Sequence, residues 1–185
     1  MKKTMVVLVS GRIGSGKSTL ASYMNEYFVA EGYNSKIFNF AYPLKLIAKK
    51  VFGWDGEKDE KGRAFLQDLG TGAVRKFNPD YWVESTQMVI ENDRKYPFDV
   101  IIIDDWRFLN EADVLEKDPI NIVYKLRVAC ENEKVDGHES ENSLPKDNST
   151  GYYFRFETIP YGTDYLEACA EVFCADLLET HLKGE

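Results

Sequence analysis

A glycine-rich segment near the start of the chain has the residue types and spacing that bind phosphate. Residues 11–19, GRIGSGKST, fit the pattern G-x-x-x-x-G-K-[ST], with Gly11, Gly16, Lys17 and Ser18 at the fixed positions. Glycines let such a loop turn its backbone N–H groups inward, and the N-terminus of the following helix adds partial positive charge. The lysine of this motif reaches the β- and γ-phosphates. The hydroxyl of the serine or threonine that follows it binds Mg²⁺. The segment therefore predicts a nucleotide phosphate site.

Two acids form a second candidate site. The segment FDVIIID is apolar, rich in β-branched residues and predicts a buried strand that ends at Asp104 and Asp105. Enzymes with this phosphate loop commonly end a second buried strand in an acid that helps to hold Mg²⁺. Acids also follow many strands without any chemical role. We expect Asp104 and Asp105 to join Ser18 as metal ligands, and the sequence leaves open which acid faces the metal.

Three arginines are candidates for contacts with phosphate. Arg107 lies three residues after Asp104 and should project near the phosphates, and Arg127 stands at the end of a predicted strand. Arg75 precedes a predicted helix and is a candidate for a bidentate contact with the phosphate of an acceptor. A single arginine is more often a surface ion-pair partner.

These residues must be positioned by strands and helices that alternate along the chain. A helix after the phosphate loop carries apolar residues at helical spacing and ends at Gly32. Alternating strands and helices indicate a parallel sheet, whose ligands lie beyond the carboxyl ends of the strands. The predicted strands are TMVVLV, SKIFNF, FDVIIID, INIVYKLRV and YFRFETI.

Further helices are predicted between and after these strands. Pro43 should open one helix, Asn110 should cap another, and Gly-Thr-Gly should break a third. The charged stretch WDGEKDEKG predicts an exposed loop, and residues 129–150 form a long polar segment typical of a lid. The helical segments are PLKLIAKKVFG, RAFLQDLGTGAVRKF, NPDYWVESTQMVIENDRKY, NEADVLEK and a last helix from about Asp164.

Composition limits the class of protein. The 185 residues are 44% hydrophobic and 29% charged, as expected for one α/β domain, and the net charge is −8. This acidic balance argues against binding of long nucleic acid, which needs a basic face. The three cysteines form no C-x-x-C pair and indicate reduced thiols in a cytoplasmic protein. The apolar start leads into the phosphate loop and is too short to cross a membrane.

Several segments together resemble the deoxynucleoside monophosphate kinases of bacteriophages, in the P-loop NMP-kinase superfamily. The similar segments are SGRIGSGKST, FAYPLKLIAKKVFG, LQDLGTGAVRKFNPDYWV, DDWRFLNEAD and HESENSL. The resemblance implies a three-layer α/β fold with a five-stranded parallel sheet, a helical acceptor-binding insert at residues 41–97 and a lid at 129–150, within one domain. It also implies transfer of the γ-phosphoryl group of ATP to a deoxynucleoside 5′-monophosphate, with Mg²⁺.

The resemblance also implies roles for individual residues. Asp105 and Arg107 match the family's acid and arginine and would be catalytic, together with Lys17. The long segment 129–150 contains no arginine, so we expect the decisive cation from the scaffold, with Arg107 first and Arg127 second. ATP would bind at Gly11, Gly14, Ser15, Gly16, Lys17, Ser18 and Thr19. The acceptor would bind at Lys45, Gln67, Arg75, Trp82, His138 and Glu141.

Alternative functions stay open on the sequence alone. One is a P-loop kinase of another small phosphorylated metabolite, similar to dephospho-coenzyme A kinase. Another is a P-loop ATPase or nucleotide-binding switch without an acceptor, although the N-K-x-D motif of GTPase switches does not occur. Trp82 at helical spacing favours a core position over a base-stacking platform. The sequence is compatible with a monomer or a homodimer.

Overall fold

The computed structural model describes residues 3–130, 144, 154–158 and 163–183. Its sheet is parallel, with the strand order β2-β3-β1-β4-β5. The strands are β1 (Thr4–Ser10), β2 (Ser35–Phe38), β3 (Val100–Ile103), β4 (Asn121–Cys130) and β5 (Phe154–Thr158). The helices are α1 (Lys17–Ala30), α2 (Ala41–Phe52), α3 (Glu60–Gln67), a π-helix (Asp68–Val74), α4 (Arg75–Phe77), α5 (Tyr81–Glu91), α6 (Leu109–Glu116) and α7 (Thr163–Lys183).

The central strand β1 is buried on both faces because helices cover both sides of the sheet. Val7 and Val9 lie in a core that includes Leu20 of α1 and Phe173 of α7. On the opposite face, Val6 and Leu8 join a second core with residues of α5 and α6. The near-continuous apolar run of β1 is therefore explained by its two buried faces. The predicted α/β class and parallel sheet are confirmed.

The register of the sheet brings the predicted phosphate site and the predicted acids together. Leu8 of β1 pairs with Ile103 of β3, so the two strands end side by side. The backbone N–H of Trp106 donates to the carbonyl of Val9 at 3.2 Å, which holds the turn after β3 against β1. On the other side of β1, Ser10 pairs with Arg127 of β4. The phosphate loop and Asp104–Asp105 therefore share one edge of the sheet.

Four helices and a π-helical turn lie between β2 and β3, where the sequence predicts a helical insert. The Gly-Thr-Gly break predicted there is wrong, because helical structure runs without interruption from Glu60 to Phe77. A Cβ at Gly70 would lie 2.9 Å from Leu44 Cδ2, so the missing side chain lets α2 approach closely. This packing offsets the cost of about 1 kcal/mol that glycine carries inside a helix.

Three further boundaries differ from the predictions. Helix α2 begins at Ala41, two residues before Pro43, because Asp105 caps its first backbone N–H groups from across the sheet edge. Helix α6 has Phe108 at its N-cap, and Asn110 instead reaches across to Asp80 at 2.7 Å. Strand β4 extends through Cys130, so the predicted lid boundary at residue 129 lies inside the strand.

The predicted lid lies mostly outside the described residues. Within it, Leu144 packs against the second core, the one that contains Val6 and Leu8. In the part of the chain that is described, no helix combines the length and the apolar character needed to cross a membrane.

Candidate nucleotide and acceptor site

The phosphate loop has the backbone conformation that its glycines permit. Gly11, Gly14 and Gly16 have φ values of 145°, 82° and 88°, a region that other residues rarely adopt. Gly16 directly precedes α1, so the loop lies at the N-terminus of that helix. Lys17 Nζ donates to the carbonyl oxygen of Arg12 at 2.6 Å, which folds the lysine over the loop. The strand–loop–helix context predicted for the motif is present.

The two acids after β3 have different partners. Asp105 is half-buried, and its two carboxylate oxygens accept the backbone N–H groups of Phe40 at 2.8 Å and Ala41 at 3.0 Å. Burial raises the pKa of Asp105, and these two hydrogen bonds oppose the rise. Asp104 accepts a hydrogen bond from the side-chain amide of Asn39. Asp105 therefore anchors the start of α2, whereas only one oxygen of Asp104 is engaged by Asn39.

A cavity of about 340 Å³ opens between the insert and the carboxyl end of the sheet. It contains all four acceptor residues that were predicted within the described part of the insert, together with Asp105 and Arg107. Ile13 of the phosphate loop lines the same cavity, so the two predicted sites adjoin. The lining residues are Ile13, Phe40, Ala41, Leu44, Lys45, Lys58, Arg63, Leu66, Gln67, Gly70, Thr71, Arg75, Trp82, Asp105, Arg107, Phe108 and Glu111.

The cavity is cationic although the protein is acidic. Its lining includes the five cationic side chains of Lys45, Lys58, Arg63, Arg75 and Arg107, against the carboxyl groups of Asp105 and Glu111. Burial lowers the pKa of Lys45, and the nearby ammonium of Lys58 lowers it further. Cationic groups that lie close together repel one another, and a bound anion would relieve this repulsion. The cavity therefore favours an anionic ligand.

Sequence reasoning missed Lys58 and Arg63. Lys58 belongs to the charged stretch that was predicted to be an exposed loop, and Arg63 Nε donates to its carbonyl at 2.8 Å. The helical spacing offers one signal for Arg63, because Gln67 follows it by four residues and lies on the same face of α3. For Lys58 the sequence offers no comparable pattern.

Arg75 is held from three sides at the wall of the cavity. Its Nη2 forms an ion pair with Glu111, and its Nη1 donates to the carbonyl of Pro79 at 3.2 Å. The guanidinium carbon lies 3.9 Å from the centre of the Phe108 ring. Only 11% of the Arg75 side chain is exposed. The residue was predicted as a phosphate contact, and its position in the cavity is compatible with that role.

Glu111 joins the two sides of the site. Its Oε2 accepts the backbone N–H groups of Arg107 at 2.8 Å and Phe108 at 3.1 Å, while Oε1 pairs with Arg75. Burial raises the pKa of Glu111 to about 7, although the Arg75 cation beside it acts in the opposite direction. Its carboxyl group therefore links the insert to the turn after β3.

Other predicted site residues lie elsewhere. Arg127 is buried within β4 and is not part of the cavity wall, and it stands three residues before the end of the strand. Trp82 is 3% exposed, lines the cavity and donates from Nε1 to the carbonyl of Gly70 at 3.1 Å, so it is both a core residue and a wall of the site. His138 and Glu141 lie outside the described residues.

The residues present fit a magnesium ion bound mainly through phosphate oxygens. Among the described residues, no three His, Cys, Asp or Glu side chains form a group that could hold a metal. Mg²⁺ does not need such a cage, because it usually keeps several waters and takes one or two protein ligands plus substrate phosphates. Exposed Ser18 and the partly engaged carboxylate of Asp104 supply oxygen donors of this kind.

The fold and the phosphate loop are those of a P-loop nucleotide-binding protein. A structure of the Mycobacterium tuberculosis APS kinase CysC in complex with AMPPNP and APS is similar, with a TM-score of 0.55 and 12% identity over 97% of this chain and 99% of that chain. A structure of the Cys556Ala mutant of the same M. tuberculosis enzyme has a TM-score of 0.52 and 14% identity, over 97% of this chain and 99% of that chain. The structure of a gluconokinase from Sinorhizobium meliloti 1021 has a TM-score of 0.50 and 14% identity, over 100% of this chain and 99% of that chain. These likenesses concern the fold.

The family is established by the sequence itself. The deoxynucleotide monophosphate kinase family matches residues 47–152, more than half of the chain. The protein belongs to this family, and it is a kinase that phosphorylates deoxynucleoside monophosphates. The family and the activity predicted from the sequence are thereby confirmed. Among curated proteins, none matches the chain significantly.

Proposed function

We propose that the cationic cavity binds the deoxynucleoside 5′-monophosphate, and that the adjoining phosphate loop binds ATP. The observation that carries this proposal is the charge of the cavity, where five cationic side chains stand against two carboxyl groups in a protein of net charge −8. A monophosphate is dianionic near neutral pH, so such a cavity attracts it. Ile13 of the loop and Arg75 of the insert line one cavity, which supports direct transfer between the two nucleotides.

On the acceptor side, Arg75 and Lys45 contact the phosphate. Arginine suits this contact because its planar donors match phosphate oxygens in pairs. The apolar and amide groups of Leu66, Gln67 and Trp82 form the part of the wall suited to the nucleoside. A base needs apolar surface and a few placed polar groups, and these residues offer both. Residues 41–97 thus act as the acceptor-binding insert.

On the donor side, residues Gly11–Thr19 wrap the phosphates of ATP. Lys17 leaves the Arg12 carbonyl and neutralises charge on the β- and γ-phosphates. Ser18 and Asp104 are the residues that would hold Mg²⁺. When bound, this ion would offset the negative charge of the phosphates.

Between the two sides, Arg107 supplies the decisive cation for transfer. It lines the cavity together with Asp105 and with Ile13 of the phosphate loop. Negative charge spreads over the three equatorial oxygens of the transferring group, and an arginine there raises the rate by ~10³–10⁵. An oxygen of the acceptor phosphate forms the new P–O bond while the bond to ADP breaks.

The test is an acceptor panel. Purified protein is incubated with ATP, Mg²⁺ and each of the common NMPs and dNMPs, and both ADP and the diphosphate product are measured. We expect matched amounts of the two products with at least one dNMP, and little product from the Lys17→Ala variant. ATP hydrolysis that is unaffected by every monophosphate would contradict an acceptor role for the cavity.

A further inference from the structure

We propose that Phe108 is a positioning residue for the acceptor, because its ring fixes the plane of the Arg75 guanidinium at the wall of the cavity. This inference rests on the proposed function, in which Arg75 contacts the acceptor phosphate. It concerns a residue that the sequence does not single out, since an aromatic residue at the start of a helix is ordinarily part of a core.

The first support is the geometry of the contact. The guanidinium carbon of Arg75 lies 3.9 Å from the centre of the Phe108 ring, well inside the roughly 6 Å at which a cation is attracted to an aromatic face. Both residues line the cavity, so the contact lies where a ligand would bind.

The second support is that the hydrogen bonds of Arg75 to Glu111 and Pro79 use only some of its guanidinium N–H donors. Glu111 takes a donor on Nη2, and the carbonyl of Pro79 takes one on Nη1. Arginine carries five N–H donors in one plane. Two point contacts do not use up these donors, and bidentate binding of phosphate depends on the direction of the plane that holds them. A ring whose centre lies 3.9 Å from the guanidinium carbon restricts that direction.

The third support is that Phe108 itself is held firmly. Its backbone N–H donates to Glu111 Oε2 at 3.1 Å, and its carbonyl accepts the indole N–H of Trp106 at 2.8 Å. Trp106 is 1% exposed, so this second contact ties Phe108 to the core. Glu111 therefore fixes both the arginine and the backbone of the residue that stacks on it.

A double-mutant cycle tests the inference. Phe108→Leu keeps an apolar side chain but removes the aromatic face, Phe108→Tyr keeps that face, and each is made in the wild-type and Arg75→Ala backgrounds. Phe77→Leu is the matched control, because Phe77 is 95% exposed and is not part of the cavity wall. KM for the preferred dNMP, KM for ATP and kcat are measured below the melting temperature of every variant.

We expect Phe108→Leu to raise the dNMP KM about two- to tenfold, with the ATP KM unchanged. Phe108→Tyr should restore the wild-type dNMP KM, and Phe77→Leu should leave it unchanged. In the Arg75→Ala background, Phe108→Leu should add nothing further, because the ring then has no guanidinium to hold.

Three results would overturn the inference. An unchanged dNMP KM in Phe108→Leu would do so, as would a failure of tyrosine to restore it. An equal increase in both backgrounds would show that Phe108 contacts the nucleoside directly. The proposed function fails separately, if Arg75→Ala alone leaves the KM of every accepted dNMP unchanged.

Discussion

Asp105 accepts a hydrogen bond at 3.0 Å from the backbone N–H of Ala41, the first residue of α2. Its other oxygen accepts the N–H of Phe40 at 2.8 Å. The carboxylate thus joins the end of β3 to the beginning of the helical insert. Because both oxygens are engaged, the neighbouring Asp104 is the better candidate for contact with Mg²⁺.

The first prediction separates these two acids. Asp104→Asn should raise the Mg²⁺ concentration needed for half-maximal activity, because an amide is a weaker ligand than a carboxylate. Asp105→Asn should instead lower the melting temperature, because one backbone N–H at the start of α2 loses a charged acceptor. Activity titrated with Mg²⁺ and thermal unfolding measure the two effects. An unchanged Mg²⁺ requirement in Asp104→Asn would remove Asp104 from the metal site.

The second prediction concerns Lys17. Catalysis of phosphoryl transfer depends almost entirely on positioning and on stabilisation of charge. Lys17→Ala should therefore lower kcat by orders of magnitude, while the melting temperature changes little because the side chain is only partly buried. Turnover and thermal unfolding are measured on the same preparation. Near-normal turnover would show that the phosphate loop does not act on ATP.

The third prediction concerns Arg75. Loss of a charge-assisted contact costs about 1.5–3 kcal/mol, so Arg75→Ala should raise the acceptor KM by roughly 10- to 150-fold. The ATP KM should change far less. Arg94→Ala is the matched control, because Arg94 is exposed and is not part of the cavity wall. Steady-state kinetics with each substrate varied in turn measures both constants, and an unchanged acceptor KM would place the acceptor elsewhere.

The fourth prediction concerns the cation that acts during transfer. Arg107→Ala should lower kcat at saturating substrates much more than Lys134→Ala or Lys146→Ala, the two lysines of the arginine-free segment 129–150. The reason is that Arg107 lines the cavity together with Asp105 and with Ile13 of the phosphate loop. If either lysine variant loses more activity, the segment 129–150 supplies the decisive cation instead.

The fifth prediction concerns pH. The pKa of Glu111 is raised from 4.5 to about 7 by burial, so the folded protein keeps a proton that the unfolded chain has lost. The free energy of unfolding should therefore fall as pH rises between these two values, and Glu111→Gln should lack this contribution. The pKa of Asp105 is also raised, so Asp105 contributes a pH dependence in the same direction. Because Asp105 is present in both proteins, its contribution cancels in the comparison.

The measurement is urea unfolding of both proteins at about pH 5 and about pH 8. The stability of the wild type relative to Glu111→Gln should be greater at the lower pH. A difference that is the same at both values would show that Glu111 keeps an ordinary pKa in the folded protein.

The sequence predicted the elements whose pattern has a single explanation. The run before Gly11 and the run before Asp104 are apolar throughout because both strands are covered on two faces, and β-branched residues distinguish them from helices. The inward positions Leu166 and Phe173 of α7 follow directly from helical spacing, and both are buried.

Features that depend on tertiary contacts could not be predicted from the sequence. Glycines at 70 and 72 suggested a break, yet packing on Leu44 favours a π-helix, in which the N–H of Arg75 reaches back to the carbonyl of Gly70. Lys58 stands in a stretch that has the composition of a solvated loop, and only the fold brings it to the cavity wall. The sequence around Glu111 likewise does not reveal that its side chain is buried, because acids in the first turn of a helix are usually solvated.

The contrast between the acidic protein and its cationic cavity leads us to expect selection among the anions that approach it. At physiological ionic strength, charges are screened beyond about 8 Å, so a small nucleotide at the mouth of the cavity senses mainly the five cationic side chains. A long polyanion must also lie along the outer surface, where the net charge of −8 repels it. We therefore expect the enzyme to favour a mononucleotide over a nucleic acid chain through the distance over which each charge is sensed, before any base or sugar is recognised.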